Sequence, residues 1–537
     1  MSGRKEDRAG GHGAPAGRAP GGPHGAAERP ARPRLVFFQW NHQPNAEAAR
    51  YLLLHMQHHV RCLAESFDVT VVNEDCDYDA VCDRLQPDLA LFEAGYRSHG
   101  SRRITIRNTS AHPAVPRLGL HNGDPWCDRR AGFLSDMAHW GVESFFSIGT
   151  CMPDYTPAAA GQAFVWPNFI DPALFHDRRL PRVIPVMLSG HVYGLYPWRA
   201  VAFDALARRW PCLTSPQVAY EDAGSARLLT GEAYARALSA SLVVPSCGTM
   251  GHELVRKHLE IPGAGALLVA EPSAALAAAG FEDGVNCVLA AGADVAERVD
   301  RLMAEPERLR AIALAGHRLV HARHTLRHRP QIRQWYELNR RRRPGQRIVQ
   351  PGPFLSLELA EAGEARQSGH VPSGGLDRAL LLGAAAQLAR GRTAAARAAY
   401  TAALGYVAYL PEARFGLALC ALEEGAPAEA AERLAAMIEV TLEEYGAADP
   451  DPLEWALYLA ALLCAGRRAE ALALRGWYPA LLHPGLRGVR ALLGALAGEG
   501  EDAPGPAAPL RPRPSLHRLP QAESAPALRA WLARCAT

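Results

Sequence analysis

Residues 243–290, VVPSCGTMGHELVRKHLEIPGAGALLVAEPSAALAAAGFEDGVNCVLA, constrain the fold of this chain more than any other stretch. A β-branched run breaks at Pro245, Gly248 and Gly251. The spacing then predicts a helix over 253–260, a Pro262-Gly263 stop and a second apolar run over 264–270. Strand, glycine-bearing turn, helix and strand make a βαβ unit, which demands a parallel sheet. Such a unit aims backbone N–H groups of a helix N-terminus at a crevice, where an anion can settle. Ser246 and Gly248 stand where small residues would open that helix, and Glu260 is expected alone between its end and the proline turn.

The same alternation runs upstream. LVFFQW from Leu35 reads as a buried strand, 41–67 as a helix, 69–72 as a strand, 78–85 as a short helix and 87–92 as a strand. A strand at 117–120 and a helix at 133–140 continue it. A second block starts at 185–190, with helices expected at 198–209, 231–240, 294–304 and 306–321. Two Rossmann-like domains follow, 34–180 and 181–340, joined through FVWPNFIDPALF. Their strand ends should frame a crevice for a ligand.

Composition sets the flanks. Residues 1–33 are rich in Gly, Ala, Pro and Arg with little to bury, the signature of a disordered tail. Residues 341–375 read as a linker beginning in the basic run NRRRRPGQR. Over 376–498 Ala, Leu, Arg and Glu dominate, and two helix–Gly–helix segments place Gly391 and Gly425 34 residues apart, with a third around Gly466. That is the tetratricopeptide period. Gly383, Ala396, Gly416 and Ala430 are expected where the helices pack closely. Residues 499–537 form a Pro-rich tail with a short helix at 525–534.

A net charge of +3, without a concentrated basic face, gives no case for nucleic acid. The 11 cysteines are odd in number and lack a C-x-x-C pair, so neither a disulfide framework nor a structural zinc is expected. With no secretory h-region and no apolar run of about 18 residues, the expectation is a cytoplasmic protein without a transmembrane segment.

At GHELVRKHLEIPGAGALLVAEPSAALAAAGFEDGVNCV the sequence resembles CgeB-like, spore-maturation-type glycosyltransferases of the GT-B fold. The likeness continues through DVAERVDRLMAEPERLRAIALAGHRLVHARHTLRHRPQIRQW, PVMLSGHVYGLYPWR and RLGLHNGDPWCDRRAGFLSDMAHWGVESFF, covering about 35–335. The resemblance implies two facing Rossmann-like domains that transfer a sugar from a nucleotide-diphosphate-sugar without a bound metal or cofactor, retaining the anomeric configuration. It implies that Glu260 binds the donor ribose. Lys257, where the family usually has arginine, and Arg256 would neutralise the diphosphate. Gly190 would admit the phosphates closely, with Arg199 beside it, and Trp335 would belong to the donor half.

In HNGDP, His121 or Asp124 are candidates to take the acceptor proton or hold the sugar, because loops at strand carboxyl ends face the crevice. The same residues also suit a plain turn. Asp75, Asp77 and Asp79 invite a metal reading but precede a helix, where Asp caps, and Ala80 replaces the glycine an EF-hand loop needs. His55, His58 and His59 read as partly exposed helix residues, and His324 and His328 lack the glutamate of H-E-x-x-H. The acceptor is left as glycan, lipid or protein, and the helical repeats as a surface for a protein partner or self-association. A catalytically silent scaffold and a sugar-nucleotide epimerase are the alternatives.

Overall fold

The computed structural model describes residues 32–42, 50–95, 101–215, 229–364, 369–498, 512–519 and 525–535. The expected tail at 1–33 thus lies almost wholly outside the described residues, as do 499–511 and 520–524. From residue 33 onward the chain forms one compact unit.

The first sheet contains β1 (Arg34–Phe38), β2 (Asp68–Val72), β3 (Leu89–Ala94), β4 (Arg117–His121), β5 (Phe145–Ser147) and β6 (Ala163–Val165). All pairs are parallel, in the order β2-β1-β3-β4-β5-β6. The continuous apolar runs of β1 and β3 are explained by cover on both faces. One face packs α2 (Tyr78–Leu85) and α3 (Arg130–His139), the other α1 (Arg50–Ala64). The join FVWPNFIDPALF is not a simple connector, since its first residues complete β6.

The second sheet has β7 (Ile184–Leu188), β8 (Cys212–Thr214), β9 (Ser241–Ser246), β10 (Leu267–Ala270) and β11 (Val288–Leu289), again parallel, in the order β8-β7-β9-β10-β11. Its helices are α4 (Pro197–Ala207), α5 (Gly231–Ser239), α6 (Lys257–Gly263), α7 (Ala274–Ala278), α8 (Val295–Met303) and α9 (Pro306–Arg323). In both sheets the chain reverses direction beside its first strand, between β1 and β3 and between β7 and β9. Crevices at the carboxyl ends of strands open at such switch points.

Two expectations fail here. The helix after β9 begins at Lys257, not residue 253, and runs through Ile261-Pro262-Gly263. Residues 248–256 are irregular, with Thr249 and His252 at φ of 66° and 53°, and Gly248 is pressed against the backbone N of Glu253, 2.6 Å from where a Cβ would stand. At the carboxyl end of this helix the last carbonyls meet α9, whose His317 and His321 rings reach Pro262 O at 3.1 Å and Gly263 O at 3.0 Å. Trp335 is the second correction. Its helix α10 (Gln331–Arg341) crosses back, and Ile332, Trp335 and Tyr336 join the first-domain core with Leu35, Phe37 and Leu89.

The stretch 341–375, expected as a linker, holds an antiparallel hairpin, Gln346–Val349 with Glu358–Glu361. Ile348 and Leu357 sit in the same first-domain core, and Gln350 adds to the end of β6 by bonding Val165 N and O at 2.7 and 3.0 Å.

Seven helices follow: α11 (Leu376–Ala389), α12 (Thr393–Leu404), α13 (Pro411–Glu423), α14 (Pro427–Glu439), α15 (Pro452–Cys464), α16 (Arg468–Leu474) and α17 (Pro484–Leu496), with α18 (Ala525–Cys535) against α13, α15 and α17. From α11 to α15 each packs on the next in sequence. Gly391, Gly425 and Gly466 close the first helix of successive pairs at φ of 70°, 73° and 76°, left-handed positions that favour glycine. Gly416 lets α13 meet the Tyr400 ring, and Ala396 and Ala430 are buried, whereas Gly383 faces open space. Trp126, Cys151 and Tyr155 of the first domain and Leu195 and Met250 of the second share one core with Leu381, Tyr400, Ala403 and Leu417. The helices are therefore seated on the α/β body.

Candidate active site

The second-domain switch point gathers most of the expected donor residues. Gly190 follows β7 at φ 103°, and a Cβ there would meet the Arg199 Nη1 at 2.8 Å and also the Lys257 ammonium. Glycine is required because two cations crowd its free side. Arg199, on the first turns of α4, is 3% exposed rather than a surface residue. It donates to His191 O at 2.7 Å, lies 3.9 Å over the Tyr196 ring, and its Nε has no partner. Lys257 donates to Ser189 O at 2.8 Å. Burial and the Arg199 charge push its ammonium down to about 7, against the pull of Glu260.

Glu260 is 7% exposed, in the first turn of α6 rather than past a helix end. Its Oε1 stands 3.1 Å from Nη2 of Arg256, and that same guanidinium nitrogen reaches His58 Nδ1 of α1 at 3.4 Å. Ser246 Oγ, Ser189 Oγ, Tyr234 OH, Arg256 Nε and His258 Nε2 are buried without partners at this place. Burial and then Glu260 raise the Tyr234 hydroxyl. Ser246 and Gly248 are near but do not open a helix, since α6 starts later. A cluster of three basic side chains, one carboxylate and several unmet hydroxyls can hold an anion beside a polyhydroxylated group.

The first-domain candidates separate. His121 ends β4 wholly buried, edge-on to Phe133 at 4.9 Å, with both ring nitrogens unpartnered. Burial and Arg130 push it down to about 3, so it is neutral near pH 7. Asp124 is open to solvent on one side; the protein packed around it, and then the Glu253 charge, push it up to about 6.

Two residues of this region, Glu93 and Glu253, escaped the sequence reading, and two, His58 and His59, were expected in another setting. Glu93, 1% exposed within the apolar LALFEA strand, accepts from Asn122 Nδ2 at 2.7 Å and Trp40 N at 3.1 Å, and pairs with His42 Nε2 at 3.0 Å. A lone carboxylate in a buried strand was the available signal. Glu253, 5% exposed, ties the 248–256 loop to the first domain through Cys151 N at 3.1 Å and the Thr150 hydroxyl. His58 and His59 are buried, not partly exposed. His58 lies 3.7 Å from Asp171 in the interdomain join.

Asp77 caps α2 by accepting from Asp79 N at 3.0 Å, and Asp75 accepts from Arg102 at 2.8 Å and Thr105 N at 2.9 Å. Asp79 and Asp83 pair with His112 at 2.9 and 3.2 Å on the exposed face of α2. His324 bonds Ala279 O at 2.8 Å and His328 the Thr325 hydroxyl at 2.9 Å, both structural roles.

Residues 179–336 match a family described as glycosyl transferase-like, Glyco_trans_1_2. This chain carries a glycosyltransferase domain. That domain holds Gly190, Arg199, Ser246, Gly248, Arg256, Lys257 and Glu260 together. No curated protein matches the chain. Among solved structures it is similar to sucrose-phosphate synthase from Thermosynechococcus elongatus, at 12% identity over 58% of this chain and 99% of that one, with a TM-score of 0.38. It is likewise similar to Anabaena Alr3699/HepE in complex with UDP and glucose, at 12% identity over 55% and 96%, with a TM-score of 0.37. No helix among the described residues is long and apolar enough to cross a membrane, and Cys62, Cys82, Cys247 and Cys420 are free buried thiols beside the glycosyltransferase domain and within it.

Proposed function

We propose that this protein moves a sugar from a nucleotide-diphosphate-sugar to an acceptor hydroxyl, with GT-B architecture and the donor on the second domain. The observation that carries this reading is the convergence of Gly190, Arg199, Lys257 and Glu260 at one switch point inside the matched glycosyltransferase domain. A diphosphate meets the two cations through the gap glycine leaves. A carboxylate with two acceptor oxygens meets ribose hydroxyls. Fixed cations then stabilise the charge that builds on the leaving diphosphate as the anomeric C–O bond breaks.

The finer parts of the reading are membership of the CgeB-like group, metal-independent chemistry and a cytoplasmic setting, with retention resting on the resemblance alone. The repeating Gly391, Gly425 and Gly466 turns support tetratricopeptide-like repeats. Exposed Leu382 and Trp477 lie on the helical region and suit a protein partner or second copy.

The test is thermal stabilisation by a panel of UDP-, GDP-, ADP- and TDP-sugars, with bound nucleotide identified by mass. One class should stabilise the wild type and leave Glu260→Ala unmoved. Silence to the whole panel would sink the reading in favour of a scaffold. A changed sugar nucleotide formed without acceptor would replace transfer by epimerisation.

A further inference from the structure

We propose that the aromatic turn after α16 is a carbohydrate-binding site outside the crevice, which holds a neutral glycan chain on the helical region. The proposal rests on the glycosyl-transfer reading and adds to it a second hold on the glycan.

Residues 475–481, RGWYPAL, carry the chain from α16 towards α17 and expose one large ring. Trp477 is 55% exposed, and its indole stacks on Trp455 of α15 with 6.4 Å between centroids and 15° between planes. Trp455 is 3% exposed and anchored in the core of the helices. Two half-buried tyrosines flank it, Tyr478 edge-on at 5.0 Å and Tyr458 tilted at 5.7 Å. Neither tyrosine hydroxyl has a hydrogen-bond partner among the described residues.

The turn is built to hold this display. Tyr478 sits at φ 54°, a left-handed conformation foreign to an aromatic residue, which persists only where neighbours over-determine it. Arg490 of α17 does so by donating to four carbonyls, those of Arg475, Trp477, Tyr478 and Leu481, at 2.5 to 3.1 Å. One planar guanidinium thus fixes the backbone on both sides of the exposed ring.

The chemistry of the turn selects the ligand. The face of an aromatic ring is weakly negative and meets the axial C–H groups of a sugar, whose hydroxyls then need partners at the rim. Burial and then Glu443 raise the Tyr478 hydroxyl, and burial and then Glu470 raise that of Tyr458. Both therefore stay protonated near pH 7, able to donate and accept. The charges that reach them are these two carboxylates, Glu470 also holding Arg467 at 2.8 Å. Carboxylates accept from sugar hydroxyls and repel an anionic chain. The exposure of Trp477 alone would also suit a protein, but a stable protein interface buries roughly 1,200 Å² or more. Its exposed neighbours Ala473, Gly476, Pro479 and Ala480 are too small to build such a patch. One indole face matches one sugar ring.

The experiment titrates the full chain, without nucleotide, by saturation-transfer NMR. The probes are maltotetraose, cellotetraose and chitotetraose, set against polygalacturonate. At least one neutral tetrasaccharide should bind, with polygalacturonate silent. Trp477→Ala should weaken that binding by about tenfold and Tyr458→Phe by about threefold. Trp477→Phe keeps a ring and should retain most of it. None of the three should move the affinity for the stabilising sugar nucleotide. No tetrasaccharide binding, preference for polygalacturonate, or binding unchanged in Trp477→Ala or Tyr458→Phe overturns the proposal, the last because the sugar then sits elsewhere. Self-association lost in Trp477→Ala, read by sedimentation, also overturns it and gives the turn to a second copy. If glycan binds through Trp477 while every sugar nucleotide is silent, it is the donor reading that fails; a bound nucleotide with no bound glycan sinks this site alone.

Discussion

Arg256 and Glu260 stand one helical turn apart, with Nη2 3.1 Å from Oε1, and the same guanidinium nitrogen reaches His58 of the first domain at 3.4 Å. One cation thus links the carboxylate expected on the donor ribose to the opposite wall of the crevice.

Glu260→Ala should abolish stabilisation by the cognate sugar nucleotide. It should also lower stability by about 1–3 kcal/mol, because Arg256 loses its carboxylate in a mostly buried setting. Thermal melts with and without nucleotide read both effects. A variant that still responds to the donor places the ribose elsewhere.

Lys257 gives a pH signature. Its folded value of about 7 lies below the ordinary 10.5. Between those values the unfolded chain holds the proton that the folded chain has lost. Stability therefore rises with pH across that window and is flat with respect to this group below it. Donor binding runs the other way: a diphosphate favours the charged ammonium, so affinity should fall as pH rises above about 7. Calorimetry with UDP in buffers of different ionisation enthalpy should show proton uptake near pH 8, and Lys257→Arg should remove it.

Gly190→Ala should cost about 1–3 kcal/mol in strain, since its φ of 103° is foreign to a residue with a Cβ. The added methyl would also meet Arg199 and Lys257. Nucleotide affinity should fall more than stability does, measured by calorimetry against chemical unfolding. Equal loss in both would make Gly190 a folding residue without a role at the phosphates.

Arg130, wholly buried, donates from Nη2 to both oxygens of Glu412 at 2.9 Å, joining α3 to α13. Glu412→Ala leaves that charge uncompensated and should destabilise by about 3–5 kcal/mol. Calorimetry should show one transition carrying the α/β body and the helices together. Two separate transitions would mean the helices fold alone.

How much was legible follows from the range of each interaction. Strand and helix periodicity is local, so β1, β3, β4, β7 and α2 fall where the residues place them. The 253–260 helix failed because its pattern is also that of a loop held by Gly248 and Glu253, whose partners Thr150 and Cys151 are a domain away. Arg199 looked like a surface residue because nothing in PWRAV reveals the Tyr196 ring and His191 carbonyl that bury it. The Glu93 network needs β1, β3 and β4 side by side before His42, Trp40 and Asn122 can meet.

The family resemblance pointed to the residues that collect at the second-domain switch point; the parallel α/β character, the two blocks and the helical region with its glycine turns came from the sequence alone. Those depend on spacing and side-chain type within short windows. Tertiary structure alone decided that Trp335 crosses to the first domain, that 341–375 is a packed hairpin, and that Tyr445 and Glu412 bind the helices to the α/β body. Each of those rests on contacts between residues far apart in sequence, where burial and pairing are set by neighbours that only the folded chain supplies.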